Sequence, residues 1–396
     1  MTDPEREYIE FEDPESDQED AAEPLQDGSL TAVVSGTDWT TETIVSQLQR
    51  GNIDLKPRFQ RRDAWRRDRK SRLIESLIVG LPVPQIVLAE SKVARGKFVV
   101  LDGKQRLLAL LQFWGVGEGP NNAFALTGMD LRPDLKGKTF EDLSNDPSLD
   151  GDYNALCNEA VRTVVIKNWK DSNFLHTVFL RLNTGSVPLS PQELRQALMP
   201  GQFADYVDDA SAESGALQEL LGLNHPDPRM RDVEIVARFI AFSKFAGSYP
   251  GRMKAFLDAT FGSLNGAWEE EQGGIRNLIS DFEEGVYSLI EIFGDRVARK
   301  PGSRQFNRAI FDALIYFQSR PDVREASSEK HEELGEAYHN LFKPGSPFAV
   351  AVESDTASPH HTLTRLKVWA ESLSAILDLD LQAPAIPLPD GSRPAA

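Results

Sequence analysis

One cysteine, Cys157, stands in the whole sequence, which excludes an internal disulfide and leaves no thiolate cage for a metal. Its ordinary reading is a small buried hydrophobe, with a reactive thiol as the alternative. No apolar run approaches the ~20 residues that cross a bilayer, and the first residues are acidic where a secretory leader is basic and then apolar. A cytoplasmic protein without a membrane contact is therefore expected. The Walker A sequence, Gly-x-x-x-x-Gly-Lys-Ser/Thr, is missing, so an ordinary P-loop enzyme is excluded. Basic residues are the minority, 43 Lys and Arg against 61 Asp and Glu, and the formal charge of −18 argues against a simple nucleic-acid coat protein.

What is there is ordinary globular material, 40% hydrophobic and 26% charged. At 396 residues the chain exceeds the size at which single cores stop growing, so more than one domain is expected. Its charge is unevenly placed. Residues 1–28 carry twelve acidic side chains, from Asp3 to Asp27, against Arg6 alone, which accounts for −11 of the −18. Such a stretch repels itself and has few apolar groups to offset the entropy of ordering, so one reading is a disordered, solvating tail. The other is that it imitates nucleic-acid phosphate and covers a basic cleft in the same molecule. The opposite extreme runs from Lys56 to Arg72, with nine basic residues, among them Arg58, Arg61, Arg62, Arg66, Arg67, Arg69 and Lys70, opposed by Asp63 and Asp68. This run is either a DNA-phosphate contact surface or a solvated helix face.

Apolar spacing predicts a helix over 40–49 with Thr40 or Thr41 as N-cap, an extended piece over 53–57, and a helix over about 67–79 that stops at Gly80. In the latter, Leu73, Ile74, Leu77 and Ile78 share one face and the arginines take the other. Runs 85–90 and 97–101 read as an antiparallel hairpin, followed by a helix to Trp114, a strand over 161–167 and a helix over 174–182. Beyond Ser190 helical patterns dominate: 191–199, 231–245, 275–293, 306–318 and 362–377. These readings divide the chain into an acidic tail (1–28), an α+β domain (29–203), a helical domain (204–380) and a Pro-rich tail (381–396).

The strand-to-helix junction Leu101-Asp102-Gly103-Lys104-Gln105-Arg106 is the place where chemistry is expected. A helix N-terminus presents unpaired N–H groups and partial positive charge, and so makes an anion site. Lys104 and Arg106 in its first turn work against the macrodipole unless an anion is bound. Asp102 is the carboxylate suited to hold magnesium beside a polyphosphate, and Gln105 could orient an attacking water. An ordinary helix start with surface charge has the same residues.

The runs Pro57-Arg58-Phe59-Gln60-Arg61, Leu73-Ile74-Glu75-Ser76, Leu81-Pro82-Val83-Pro84 and Leu101 to Arg106, with Trp65, resemble the N-terminal family of GmrSD-type modification-dependent restriction endonucleases. Further on, Phe179-Leu180-Arg181-Leu182-Asn183, Leu189-Ser190 and Gln192-Glu193-Leu194-Arg195 follow the same pattern in order, so the similarity spans about residues 40–203. The family signature is an Asp-Gly-Gln-Gln-Arg box, from which Lys104 departs. The resemblance implies a ParB/sulfiredoxin-like α+β fold ahead of the mostly α-helical region, with the Gly-x-x-Arg turn binding nucleotide phosphates. In related phage-defence proteins the box supports nucleotide hydrolysis that governs DNA cleavage. Carried over, it makes Asp102, Gln105 and Arg106 catalytic, with Gly103, Lys104, Gln60, Arg61, Arg181 and Asn183 around the nucleotide, ATP or GTP with magnesium. Many relatives end in an HNH nuclease. Here His225, His339 and His360-His361 assemble no such motif, so a nuclease would be a separate partner or the N-terminal domain itself. The leading expectation is an NTP-hydrolysing defence protein that senses DNA, with an oligomer left open. The alternatives are a non-catalytic DNA-binding module and a direct DNA-nicking enzyme.

Overall fold

The N-terminal architecture follows from one strand that is apolar on both faces. The computed structural model describes residues 11–12, 32–53, 55, 62–63, 65–92, 94–116, 123–169, 174–175, 178 and 190–388. The chain divides into two units, Ala22–Leu198 and Met199–Ala396 joined by Met1–Ala21, and the fold is mixed α+β with a helical C-terminal region. In the first unit, β1 (Val33–Thr40) leads into α1 (Thr41–Gln49), then α2 (Arg67–Val79), β2 (Ile86–Glu90), β3 (Phe98–Asp102), α3 (Lys104–Phe113), α4 (Phe140–Asn145), α5 (Asp150–Asn158), β4 (Ala160–Lys167) and α6 (Pro191–Leu198).

The sheet has the order β1-β4-β2-β3, with β2 antiparallel to β3 and parallel to β4, and β4 antiparallel to β1. Inner strand β2 sends Ile86 and Leu88 to a core shared with Ile44, Ile74, Leu77, Leu107 and Leu110 of α1 to α3. It sends Val87 and Ala89 to a second core with Leu101, Ile166, Trp169 and Leu194. Burial on both faces explains its unbroken apolar sequence, as in parallel inner strands. Strand β1 was not anticipated: it lies on the sheet edge with Val33 and Val34 more than half exposed, so it shows little apolar alternation. Helix α2 has the expected bounds and ends on left-handed Gly80, while Thr40 caps α1 by accepting from the Thr43 N–H at 3.2 Å. Of the helix expected over 174–182, residues 174, 175 and 178 are helical and the others lie outside the described residues, as do most of 53–57.

The second unit is built of α7 (Gln202–Glu213), α8 (Gly215–Leu220), α9 (Arg231–Phe245), α10 (Met253–Gly266), α11 (Trp268–Phe293), α12 (Arg308–Gln318), α13 (Pro321–Ser327), α14 (His331–Asn340), α15 (Pro347–Ala351) and α16 (Pro359–Leu377). Phe203 is buried against Phe261 and Trp268 in this unit, so the division falls just after α6, ahead of the expected 203/204 boundary. Aromatic contacts Phe239–Phe282 and Phe282–Phe311 tie α9, α11 and α12 together. Within that core Arg238 of α9 pairs with Asp312 of α12. Helix α11 starts two turns before the expected 275, because Trp268 packs on Phe203 and Tyr206 and extends the apolar stripe. Leu381 and Ile386 are buried, so 381–388 of the Pro-rich segment packs on the unit. His360 and His361 stand in the first turn of α16, where Ser358 caps the helix. Among the described residues no helix is long and apolar enough to cross a membrane.

Candidate functional site

β3 delivers Asp102 to the start of α3 with a single residue between them. That residue, Gly103, sits at φ 97° and ψ 9°, in the left-handed region where a side chain is strained. A Cβ there would come within 3.1 Å of Ile86 Cγ1 and 3.3 Å of Arg106 Nη2. The left-handed turn thus favours glycine, and a Cβ there would press on Ile86 and on the guanidinium lying against it. No side chain caps α3, so the positive end of its dipole is left at the junction.

Asp102 and Arg106 close the turn on itself. Asp102 Oδ1 accepts from the Gly103 N–H at 2.7 Å and Oδ2 from Arg106 Nη2 at 2.9 Å. The same Nη2 donates to the Gln85 carbonyl at 2.8 Å. Arg106 is only 8% exposed, yet among the described residues nothing hydrogen-bonds its Nε. A buried donor left unpaired costs about 1–3 kcal/mol, more when charged. An anion seated at the start of α3 would satisfy it.

Lys104 is engaged elsewhere. Its Nζ lies 3.0 Å from Glu193 Oε1, with both side chains buried. Glu193 Oε2 in turn accepts from the Ser190 N–H at 2.8 Å, and its own N–H donates to Ser190 Oγ at 3.0 Å, a capping box at the start of α6. The lysine that departs from the related box is therefore neutralised in place by a residue 89 positions away. Family resemblance alone pointed to Glu193; its spacing from Ser190 was the available signal for a cap, but nothing local announced Lys104 as its partner. Gln192 and Arg195, buried beside it, hydrogen-bond each other, while Gln192 Nε2 has no bond among the described residues.

Gln105 and Gln112 hold the facing segment. Gln105 Oε1 accepts from the Trp65 N–H at 3.2 Å, and Gln112 Nε2, two turns along the same side of α3, donates to Asp63 Oδ2 at 2.9 Å. Asp63 also takes the ammonium of Lys70. Gln105, expected to orient water, is in this arrangement a clamp on the segment that enters α2.

Of the basic run, Arg66, Arg67 and Arg69 are exposed at the start of α2, with Arg69 Cζ 4.5 Å from the Trp65 ring centroid. Arg62 is 1% exposed and Lys70 6%, and Lys70 pairs with Asp63, so these two, expected among the DNA contacts, are buried within the unit. Arg72 is exposed and lies 3.2 Å from Asp130. Lys56, Arg58, Gln60, Arg61, Arg181 and Asn183 lie outside the described residues. Cys157 is buried, and burial pushes its thiol pKa up, which opposes reactivity. Among the described residues no three His, Cys, Asp or Glu side chains gather as a metal site. Asp102, with both oxygens already engaged, fits magnesium only as an ion brought in by phosphate oxygens, for which one carboxylate suffices.

Residues 41–200 match the family described as the GmrSD restriction endonuclease, N-terminal domain. The match runs from the first residue of α1 past the end of α6, and so contains the whole junction together with Glu193. No curated protein was found to match the chain.

Proposed function

We propose, from the match of residues 41–200 to a restriction endonuclease N-terminal domain, that the Asp102–Arg106 junction binds and hydrolyses a nucleoside triphosphate, ATP or GTP, in a system that acts on DNA. The observation that supports this best is the buried Arg106 Nε without a bond, lying against Gly103 at an uncapped helix N-terminus. A phosphate oxygen there would take the Nε hydrogen and the first-turn dipole together. Arg106 is then the phosphate clamp and Gly103 the position that lets backbone approach. Binding would draw Arg106 toward phosphate and release Asp102, which becomes the carboxylate for the cation. Magnesium, when it arrives with the nucleotide, supplies charge neutralisation at the phosphates. Gln105 Oε1 already accepts from the Trp65 N–H, so the side chain that would orient an attacking water is also tied to the facing segment.

Arg66, Arg67 and Arg69, adjoining Trp65, are the exposed cations through which DNA would be sensed, and movement of that segment links them to the junction. A DNA-cleaving partner would then act downstream. A second reading, a DNA-binding module with a structural box, draws on the same exposed arginines and on the internal closure of Asp102 with Arg106.

The test is phosphate release from ATP and GTP with magnesium, with and without DNA, alongside nucleotide binding by calorimetry. Wild type is expected to bind and release. Arg106→Ala is expected to lose binding, and Asp102→Ala to lose release, with melting curves showing that both remain folded. A wild-type protein that neither binds nor hydrolyses any nucleotide removes this reading and leaves the DNA-binding one.

A further inference from the structure

In the helical unit a polar notch receives the chain's own N-terminal segment. Phe11 bridges to Phe306 in the parallel sense, and the Glu12 N–H donates to the Phe306 carbonyl at 3.0 Å. The Phe11 ring meets Phe306 edge-on at 5.3 Å and lies within cation–π range of two guanidiniums, with Arg231 Cζ at 4.5 Å and Arg308 Cζ at 4.8 Å. Glu12 places one carboxylate oxygen 2.6 Å from Lys300 Nζ and the other 2.7 Å from the amide nitrogen of Asn307. Asn307 caps α12 through its Oδ1, which accepts from the Ile310 N–H at 2.9 Å, and so presents its amide hydrogens to Glu12. The carboxylate thus also sits at the positive end of α12.

Two consecutive residues therefore meet a main-chain bond, an aromatic seat, two guanidiniums and a two-point carboxylate clamp. Residues 296–308, which supply most of this notch, contain Arg296, Arg299, Lys300, Arg304 and Arg308 and no acidic residue. The occupant belongs to the stretch with twelve acidic residues, and Glu10 and Asp13 are its immediate neighbours in sequence.

We propose that Arg231, Lys300, Phe306, Asn307 and Arg308 form a binding site for an aromatic–acidic residue pair, that Phe11–Glu12 is its resident occupant, and that this anchor makes the acidic N-terminal stretch compete with nucleic-acid phosphate for the basic run 296–308. The magnitudes are favourable. A tethered segment acts at an effective concentration on the order of 1 mM, whereas non-specific DNA binding has dissociation constants of roughly 10⁻⁴ to 10⁻⁶ M. An anchor that would bind at about 0.1 mM in trans is then about ten to one occupied in cis, enough to weaken DNA binding about tenfold. This inference does not use the Asp102–Arg106 junction and stands or falls apart from it.

The test uses the full chain. Hydrogen exchange of the Glu12 amide is followed in wild type and in Phe11→Ala/Glu12→Ala, with the milder Glu12→Gln alongside, and binding of a fluorescent duplex of about 20 base pairs, long enough to offer two helical turns of phosphate, is measured at low salt. Glu10→Ala removes the same charge from a neighbouring position as a control. The proposal expects a slow Glu12 amide in wild type, independent of protein concentration, fast exchange in the double variant, and duplex affinity about tenfold higher in that variant but nearly unchanged in the control. A fast amide in wild type overturns the anchor. Protection that rises with protein concentration assigns the site to a second copy and overturns the intramolecular form. Loss of protection with unchanged duplex affinity overturns the competition.

Discussion

Arg106 in the N-terminal unit and Arg238 in the helical unit are both buried beside a carboxylate, but their hydrogen bonds are not equally complete. Arg238 Nε reaches both oxygens of Asp312, at 3.1 and 3.2 Å, and its Nη2 bonds the same carboxylate. Burial alone would lower its pKa, but the charge and hydrogen bonds of Asp312 hold it above the ordinary arginine value. Arg106 has one nitrogen shared between Asp102 and a carbonyl, and a second with no bond among the described residues. A saturated buried pair fastens two helices. The unsaturated one at a helix start has a donor to spare, the feature on which the proposed nucleotide site draws.

Removing each arginine is the strongest way to break that comparison. Arg238→Ala leaves Asp312 charged and buried and is expected to cost about 3–5 kcal/mol. Arg106→Ala is expected to cost about 1–2 kcal/mol, since Asp102 keeps its bond to the Gly103 N–H. Urea unfolding of the two variants decides; equal losses would make Arg106 a structural group like Arg238. Gly103→Ala comes next, with about 1–3 kcal/mol lost to the left-handed backbone and to the approach on Ile86. Nucleotide binding by this variant should fall further than its stability accounts for, and calorimetry at a temperature where it is folded would show this.

A smaller effect sharpens the contrast between exposed and buried cations in the basic run. Replacing Arg66, Arg67 and Arg69 by serine should flatten the salt dependence of DNA affinity by about 0.9 in log–log slope for each phosphate that is no longer neutralised. Replacing buried Lys70 by methionine should leave that slope unchanged while destabilising the segment through Asp63. The smallest expected signal is at Cys157. Because burial raises its thiol pKa, reaction with Ellman's reagent at about pH 8, just below the ordinary thiol range, should be slow in the native protein and fast in urea. Rapid native labelling would show that α5 opens easily.

Much of the N-terminal unit could be read from residue order. Gly80, Gly103 and the apolar spacing around them placed α2, the hairpin and α3 within a residue or two, because these elements are ended by left-handed glycines and buried on a clear face. The junction was recognisable for the same reason, a strand running through one glycine into a helix. Strand β1 was missed because its side chains are mostly exposed, and α5 because only Leu156 and Cys157 along it are buried. The treatment of charge was the least readable part. Lys70 and Arg66 are near neighbours in one basic run, yet one is buried on Asp63 and the other faces solvent.

By itself the sequence determined the α+β then α order, the turn at Gly103 and the residues of the box, since these rest on local backbone preference and on apolar periodicity that repeats every few residues. Tertiary structure alone decided which charges are spent. Lys104 meets Glu193, Arg238 meets Asp312 and Glu12 meets Lys300 across long stretches of chain, while Arg106 keeps a nitrogen open. These long-range charged pairs carry no local signal, because the burial of each is set by whichever distant group folding brings within hydrogen-bond reach.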